Sequence, residues 1–289
     1  MVLNNVAAVI VTYNPAKSFV GNIQAINKLV DEIIVVDNGS NDETINMLKG
    51  LENKLTLIKL EENKGIAYAL NRGIEYAENK GYSWVLTLDH DSTPDENMLN
   101  SMLNTYNSLN EEEKQKVVMI TPKHIEEKVT EDLAKEESYE YVLTEITSGA
   151  LTKTSYYKDN KYDEKLFIDL VDHDFCLNIN RGGHKIIRVN NAILKHNLGE
   201  SKSYNILGVT ITPTNHSPVR RYYMTRNRCY IWHKYNNDFP KWIKKDKIKF
   251  ISETIKIMFF EKDKINKLKM IIKGKHDFNK GKWGAYNKD

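Results

Sequence analysis

The sequence predicts an α/β protein built on a mostly parallel, doubly wound sheet, and three features carry that prediction. Short apolar runs at Val6–Val11, Ile33–Val36, Leu55–Leu60 and Trp84–Leu88 alternate with segments of helical periodicity. Each run stops at a polar turn, as buried parallel strands do where ligand-binding residues gather at their carboxyl ends. The fourth run ends in Asp89-His90-Asp91, two carboxylates one residue apart. With 289 residues, 40% hydrophobic and 28% charged, the chain has the size and composition of one large folded domain with an appendage.

Taken in order, Val6-Ala7-Ala8-Val9-Ile10-Val11 is a buried strand that stops at Thr12-Tyr13-Asn14-Pro15, a polar turn closed by proline. Phe19, Ile23, Ile26 and Val30 recur at three and four residues and make an amphipathic helix before the second strand, Ile33–Val36. That strand ends in Asp37-Asn38-Gly39-Ser40, and Ser40 to Glu43 has capping-box spacing for a helix through Leu48. A third strand, Leu55–Leu60, leads through Glu61-Glu62-Asn63-Lys64-Gly65 into a helix over 66–78 with Ile66, Ala69, Leu70, Ile74 and Ala77 on its apolar face. Four strands alternating with three helices imply right-handed crossovers.

Beyond the aspartate pair, Met98, Leu99, Met102, Leu103, Tyr106 and Leu109 define another helix, and Val117–Ile120 another strand. Residues 123–138 are charged and aperiodic, a solvated excursion; Tyr139–Thr147 reads as strand, and 156–165 as surface loop. A helix from Val171 to Arg181 stops at Gly182-Gly183, and the strand Lys185–Lys195 follows with His196 at its end. Residues 198–216 lack periodicity and read as an active-site or acceptor loop, and Ser217–Tyr235 as a helix dense in arginine and aromatic residues. With no internal repeat or low-complexity linker, a catalytic domain over 1–236 and a helical tail over 237–289 are expected.

The net charge of +3 hides a split: residues 239–289 hold 15 Lys and no Arg against 6 acidic side chains, a net +9, and residues 1–238 carry −6. Such a tail suits an anionic partner. Trp242, Ile243, Ile248, Phe250, Ile251 and Ile255 interleave with its lysines, which predicts amphipathic helices at an anionic membrane interface, or a hairpin packed on the protein or a dimer partner. Lacking Arg-rich or aromatic-platform organisation, the charge argues against nucleic acid. Cys176 and Cys229 stand far apart, in no metal or redox spacing, as in a reducing compartment. Met1-Val2-Leu3-Asn4-Asn5 lacks signal-peptide features and no run approaches the ~20 apolar residues of a spanning helix, so a cytoplasmic protein is expected.

Regular crossovers set the ends Thr12-Tyr13-Asn14, Asp37–Ser40, Asn63-Lys64-Gly65 and Asp89-His90-Asp91 along one edge of the sheet. Asp37 there is suited to accept hydrogen bonds from a uracil or thymine edge or a ribose, and Asp89 and Asp91 to hold Mg²⁺ or Mn²⁺ and through it a diphosphate. Each motif alone also reads as a capped turn. No Gly-x-Gly-x-x-Gly follows the first strand and no Gly-Lys-Ser/Thr is present, which disfavours dinucleotide cofactors and P-loop chemistry. Asp169, Asp172 and Asp174 crowd a helix start beside His173, where the helix dipole stabilises acids and where a carboxylate facing a sugar acts as general base. His196 adds an imidazole, a ready ligand for Mn²⁺ and a less frequent one for Mg²⁺.

Val-Ile-Val-Thr-Tyr-Asn at 9–14, Val-Val-Asp-Asn-Gly-Ser at 35–40, Asn63-x-Gly65, Leu-Asp-His-Asp at 88–91, Thr147-Ser148-Gly149, and Asp172-x-Asp174-Phe-Cys-Leu with His196-x-x-Gly199 together resemble the ordered motifs of inverting glycosyltransferase family 2 enzymes of the GT-A fold. The resemblance spans about residues 6–235 and is closest to the bacterial rhamnosyltransferases. It implies Thr12, Tyr13, Asn14, Asp37, Lys64, Gly65 and Asp89 around the nucleotide sugar, Asp89, Asp91 and His196 on the metal, and Asp172 as catalytic base. Ser148, Gly149, Asp174 and Arg226 are then acceptor or phosphate contacts, the last on the segment Arg220–Arg228 that resembles the family's Arg-Asn helix. Two positions depart from the pattern: Asn178 stands where arginine is usual, and His90 lies between the paired aspartates.

The expected activity is metal-dependent, inverting transfer of a sugar, L-rhamnose from dTDP-rhamnose, to a hydroxyl of a lipid-linked bacterial surface polysaccharide precursor. The protein is expected at the inner face of the cell membrane, held by its basic tail, with a homodimer as a further option. Another UDP- or dTDP-sugar such as galactofuranose is the alternative donor. A sugar-1-phosphate nucleotidyltransferase would need a Gly-rich basic loop in place of Thr12-Tyr13-Asn14-Pro15. A non-catalytic nucleotide-sugar binding module would never release free nucleoside diphosphate.

Overall fold

The computed structural model describes residues 5–51, 53–126, 138–196, 204–206 and 209–287. Its first half is β1 (Val6–Thr12), α1 (Phe19–Ile26), β2 (Glu32–Asp37), α2 (Asp42–Lys49), β3 (Thr56–Lys59), α3 (Ile66–Asn79) and β4 (Trp84–Asp89). β1 pairs in parallel with β2 and β4, and β2 with β3, in a register that sets Thr12 opposite Asp37 and Val11 opposite Asp89. Residues 6–10 and 33–36 are buried, which is why these strands are apolar throughout and not alternating.

The chain continues through β5 (Thr93–Pro94), α4 (Met98–Ser108), α5 (Glu111–Lys116), β6 (Val117–Glu126), β7 (Tyr139–Val142), β8 (Ala150–Lys153), α6 (Thr154–Tyr157), α7 (Val171–Arg181) and β9 (Lys185–His196). Among the described residues the sheet has nine strands in the order β3-β2-β1-β4-β8-β6-β9-β5, with β7 on β9. β8 lies antiparallel between β4 and β6, so the parallel half passes into a mixed half.

Several local expectations are corrected. The helix after β2 is capped by Asn41, whose side chain accepts from Thr44 N–H, because Ser40 Oγ is already taken by Asn14 N–H. The strand expected over Tyr139–Thr147 ends at Val142; the Glu145 N–H and carbonyl both meet Cys176 Sγ, at 3.5 and 3.4 Å, and make no ladder. The segment 156–165 is a surface loop in part: Lys158, Asp159, Lys161, Glu164 and Lys165 are exposed, but Tyr157 and Tyr162 are 2% exposed and stack on Phe175 at 5.3 and 4.3 Å. Within 198–216 the short strands β10 (Tyr204–Ile206) and β11 (Val209–Ile211) pair antiparallel, and 197–203 and 207–208 lie outside the described residues. Of the expected excursion over 123–138, residues 123–126 extend β6 and 127–137 lie outside the described residues.

The chain packs as two units, residues 1–164 with 171–197 and residues 165–170 with 198–289. The second contains α8 (Pro218–Tyr235), α9 (Pro240–Phe260) and α10 (Lys264–Asn279). Ser217 caps α8 by accepting from Arg220 N–H, and Pro218 takes the first turn, where no N–H is needed. No described helix is long and apolar enough to cross a membrane.

Candidate active site

At the carboxyl edge of β1, β2 and β3 the loops are tied into one rim. Thr12 and Asp37 are fully buried; Thr12 Oγ1 donates to Asp37 Oδ1 at 3.2 Å, and Ser40 N–H donates to Oδ2 at 3.0 Å. Those donors offset the cost of taking a carboxylate out of water. Asn14 Oδ1 accepts from Asn41 N–H at 3.0 Å. Asn38 reaches the third loop, donating to Asn63 Oδ1 at 3.1 Å and accepting from Lys64 N–H at 2.9 Å, while Gly65 N–H donates to Asn63 Oδ1 at 3.0 Å. Gly39 closes the rim: its φ is +80°, and a Cβ there would stand 2.5 Å from the Glu62 carbonyl carbon. Tyr13 is 50% exposed at this edge. The Lys64 ammonium pairs with Glu62, and that hydrogen bond holds the amine above its ordinary pKa.

The Asp89–Asp91 turn rests on Ser148. Asp89 N–H donates to Ser148 Oγ at 3.0 Å, that hydroxyl lies 2.7 Å from Ser92 Oγ, and Ser92 N–H donates to Asp89 O at 3.1 Å. Gly149, left-handed at φ 82°, donates its N–H to Thr87 O at 2.7 Å, and His124 Nε2 lies 2.8 Å from Ser148 O. The structure thus brings Ser148 to Asp89 and Gly149 to Thr87, two residues before that aspartate. β5 pairs with β9 so that Thr93 faces Lys195, and the backbone of His196, one residue on, comes beside the exit of the same turn. The side chain of His196 lies outside the described residues. Among the described residues no three His, Cys, Asp or Glu side chains form a set that would hold a metal. Asp89 is half-buried and Asp91 exposed, two oxygen donors on a turn fixed by buried serines; that donor chemistry fits a hard divalent cation with coordination positions left for phosphate.

Asp172 lies in the first turn of α7. Its Oδ1 accepts from His173 N–H at 2.8 Å and stands 2.9 Å from His173 Nδ1. Burial pushes the Asp172 carboxyl up, but the His173 charge and hydrogen bonds outweigh it and hold the group below its ordinary value. Asp174 is 4% exposed. His173, set beside the acidic cluster by the sequence, is the partner of Asp172; the sequence does not single out Glu145, whose carboxyl burial pushes up against the opposing Arg188 guanidinium at 2.6 Å. Glu145 lies 27 residues upstream of Asp172 in a stretch that reads as strand, and no spacing signal could have found it.

Arg226 belongs to the second unit. It is fully buried, donating to Gly284 O at 2.9 Å and Lys165 O at 3.3 Å, with its guanidinium 5.1 Å from the Tyr223 ring. Asn227 donates to Ile168 O at 2.8 Å and Asp169 O at 2.9 Å, pinning a bend where Asp169 and Leu170 take left-handed φ of 67° and 65°. Arg220 grips the Asp169 carboxylate at 3.0 Å. The Arg-Asn pair therefore anchors backbone.

The profile of the family described as "Glycosyl transferase family 2" matches residues 7–179, more than half of the chain. The chain belongs to glycosyl transferase family 2. A family relative, the dTDP-rhamnosyl transferase RfbF of Shigella flexneri, is 30% identical over 296 residues, 93% of each chain. Among solved structures, TarS residues 1–349 of S. aureus in complex with UDP-GlcNAc superposes with a TM-score of 0.59 at 18% identity, covering 94% of this chain and 80% of that one. GalNAc-T7 with UDP, GalNAc and Mn²⁺ gives 0.59 at 15% identity, covering 82% of this chain and 49% of that one. These likenesses fix the fold as GT-A, and the chain is a rhamnosyltransferase-like glycosyltransferase of family 2.

Proposed function

We propose that the chain is an inverting, metal-dependent transferase that moves L-rhamnose from dTDP-rhamnose to a hydroxyl of a bacterial cell-surface polysaccharide precursor carried on a lipid. The observation that carries the reading is the common edge where β1, β2 and β4 end, with Thr12 level with Asp37 and Asp89 level with Val11. The donor is supported by the relation to the Shigella flexneri dTDP-rhamnosyl transferase along 93% of both chains.

Thr12, Tyr13, Asn14 and Asp37 take the nucleoside, Asp37 through the lone pairs that Thr12 and Ser40 leave open. Lys64 and Gly65 take the phosphates. Asp89, Asp91 and His196 would hold the divalent cation, Mg²⁺ or Mn²⁺, which when bound supplies charge neutralisation at the departing diphosphate. Asp172 removes the proton of the acceptor hydroxyl as its oxygen attacks the anomeric carbon. The bond from that carbon to the diphosphate breaks on the opposite face, so configuration inverts. Because His173 holds Asp172 low, the base is ionised at neutral pH without further tuning. Asp174, Ser148 and Gly149 border the acceptor.

The test is Asp172→Asn assayed for nucleoside diphosphate release with a lipid-linked acceptor, across a panel of nucleotide sugars. Loss of a general base lowers kcat by about 10²–10⁴-fold with donor affinity retained. Undiminished turnover removes Asp172 from the base role, and a preference for a UDP-sugar replaces the donor.

A further inference from the structure

α9 turns Asp246, Glu253 and the buried Ile243 and Ile257 toward the protein, and a second set of apolar side chains points away from it. On the inner side Arg228 Nη1 donates to Glu253 Oε2 at 2.6 Å, and Trp232 Nε1 donates to Asp246 Oδ2 at 2.7 Å. Asp246 is 9% exposed. On the outer side Ile248, Ile251, Ile255, Met258 and Phe259 are 58, 59, 49, 48 and 66% exposed. At 3.6 residues per turn these five fall within an arc of about 100°, one continuous stripe. Lys245, Lys249 and Lys256 run along one border of it and Lys247 along the other.

A helix that only packs on its own protein turns its apolar stripe inward, and large exposed apolar patches mark contact surfaces. The occupant follows from the charge. A second copy of this chain seated on the stripe would set lysine rows against lysine rows in a segment of net +9. An anionic lipid surface meets both features: the isoleucines and Phe259 enter the acyl boundary while the lysines snorkel to the headgroups.

We infer that the outward stripe of α9 is a membrane-docking surface that lies in the plane of an anionic lipid interface. It supplies the membrane contact that a lipid-borne acceptor in the proposed reaction requires, and it stands on the geometry of α9 alone.

The full-length protein is sedimented with vesicles of phosphatidylcholine, alone or with phosphatidylglycerol, at low and high salt. Partition onto the anionic vesicles, weakened by salt, is expected. Ile251→Ser with Ile255→Ser lowers it at least about tenfold, and Lys245→Gln with Lys249→Gln by about fivefold per lysine, on anionic vesicles only. Both variants change exposed positions, so soluble donor hydrolysis stays at the wild-type rate. Absence of vesicle binding, or equal binding by wild type and the isoleucine variant, overturns the inference. So does a dimer in analytical ultracentrifugation that the isoleucine variant dissociates without any vesicle binding, which gives the stripe to a second copy. Vesicle binding with no donor turnover supports the docking surface and rejects the transfer reading.

Discussion

His173 sets the charge of Asp172. The imidazole nitrogen and the backbone N–H of the same residue both meet Asp172 Oδ1, at 2.9 and 2.8 Å. Against them stands burial, which alone would raise the carboxyl; the observed direction is downward, so the His173 interactions win. A depressed carboxyl contributes stability that is present above its ordinary pKa and lost as pH falls through the folded value. With Asp172 as the proposed base, the catalytic consequence has the same sign: the acid limb of kcat/KM is expected below the ordinary carboxylate range. His173→Gln leaves burial unopposed by the imidazole, and the acid limb moves up while the neutral-pH plateau keeps its height. A pH–rate profile of that variant with an unmoved acid limb rejects the pairing as the source of the depressed value.

At the scale of the element, the rim after β1, β2 and β3 depends on backbone that only certain residues allow. Gly39 joins a φ of +80° to a gap that a Cβ would close at 2.5 Å from Glu62 and 2.7 Å from Asn63 N. Gly39→Ala therefore meets both left-handed strain and backbone it cannot displace, at a cost of about 1–3 kcal/mol. The loop that carries Asn63 and Lys64 shifts, so the donor KM rises more than kcat falls. Thermal unfolding and steady-state kinetics check both; an unchanged donor KM separates the rim from nucleotide binding. Much of this scale was legible in the sequence, because β1, β2 and β4 are buried on both faces and announce themselves as apolar runs, and Val171–Arg181 has the stop signal Gly182-Gly183. β8 was not, being four residues whose strand character comes from insertion between β4 and β6. Nor was α5, which buries no side chain and stands on the Asn110–Glu113 capping box. Pattern alone also could not place Ser148 beneath Asp89, 59 residues away, and α9's periodicity shows a stripe without saying which side faces in.

For the whole molecule, the charge split between residues 1–238 and the +9 segment that follows conceals how the acids are used. Asp246, Glu261 and Asp277 of that segment are buried, and Glu261 accepts from Arg221 at 2.7 Å and from Lys267 at 2.9 Å. Tyr222 donates to Asp277 at 3.0 Å, and Gly284 O receives Arg226. Residues 237–289 thus furnish several partners of α8: Tyr286 packs on Tyr222 and donates its N–H to Tyr223 Oη at 2.6 Å, and Phe239 lies against Tyr235. Breaking one buried ion pair costs about 3–5 kcal/mol, against a total stability of about 5–15 kcal/mol for a typical domain. Removing residues 237–289 takes away several such partners at once and bares an aromatic face, so α8 cannot keep its packed position. The shortened chain is expected to lose solubility and to be cut within 218–235 by low protease, while Glu261→Gln in the full chain folds with a lowered Tm. A protease-resistant 1–236 fragment with full donor turnover would show that α8 is held by the residues before it.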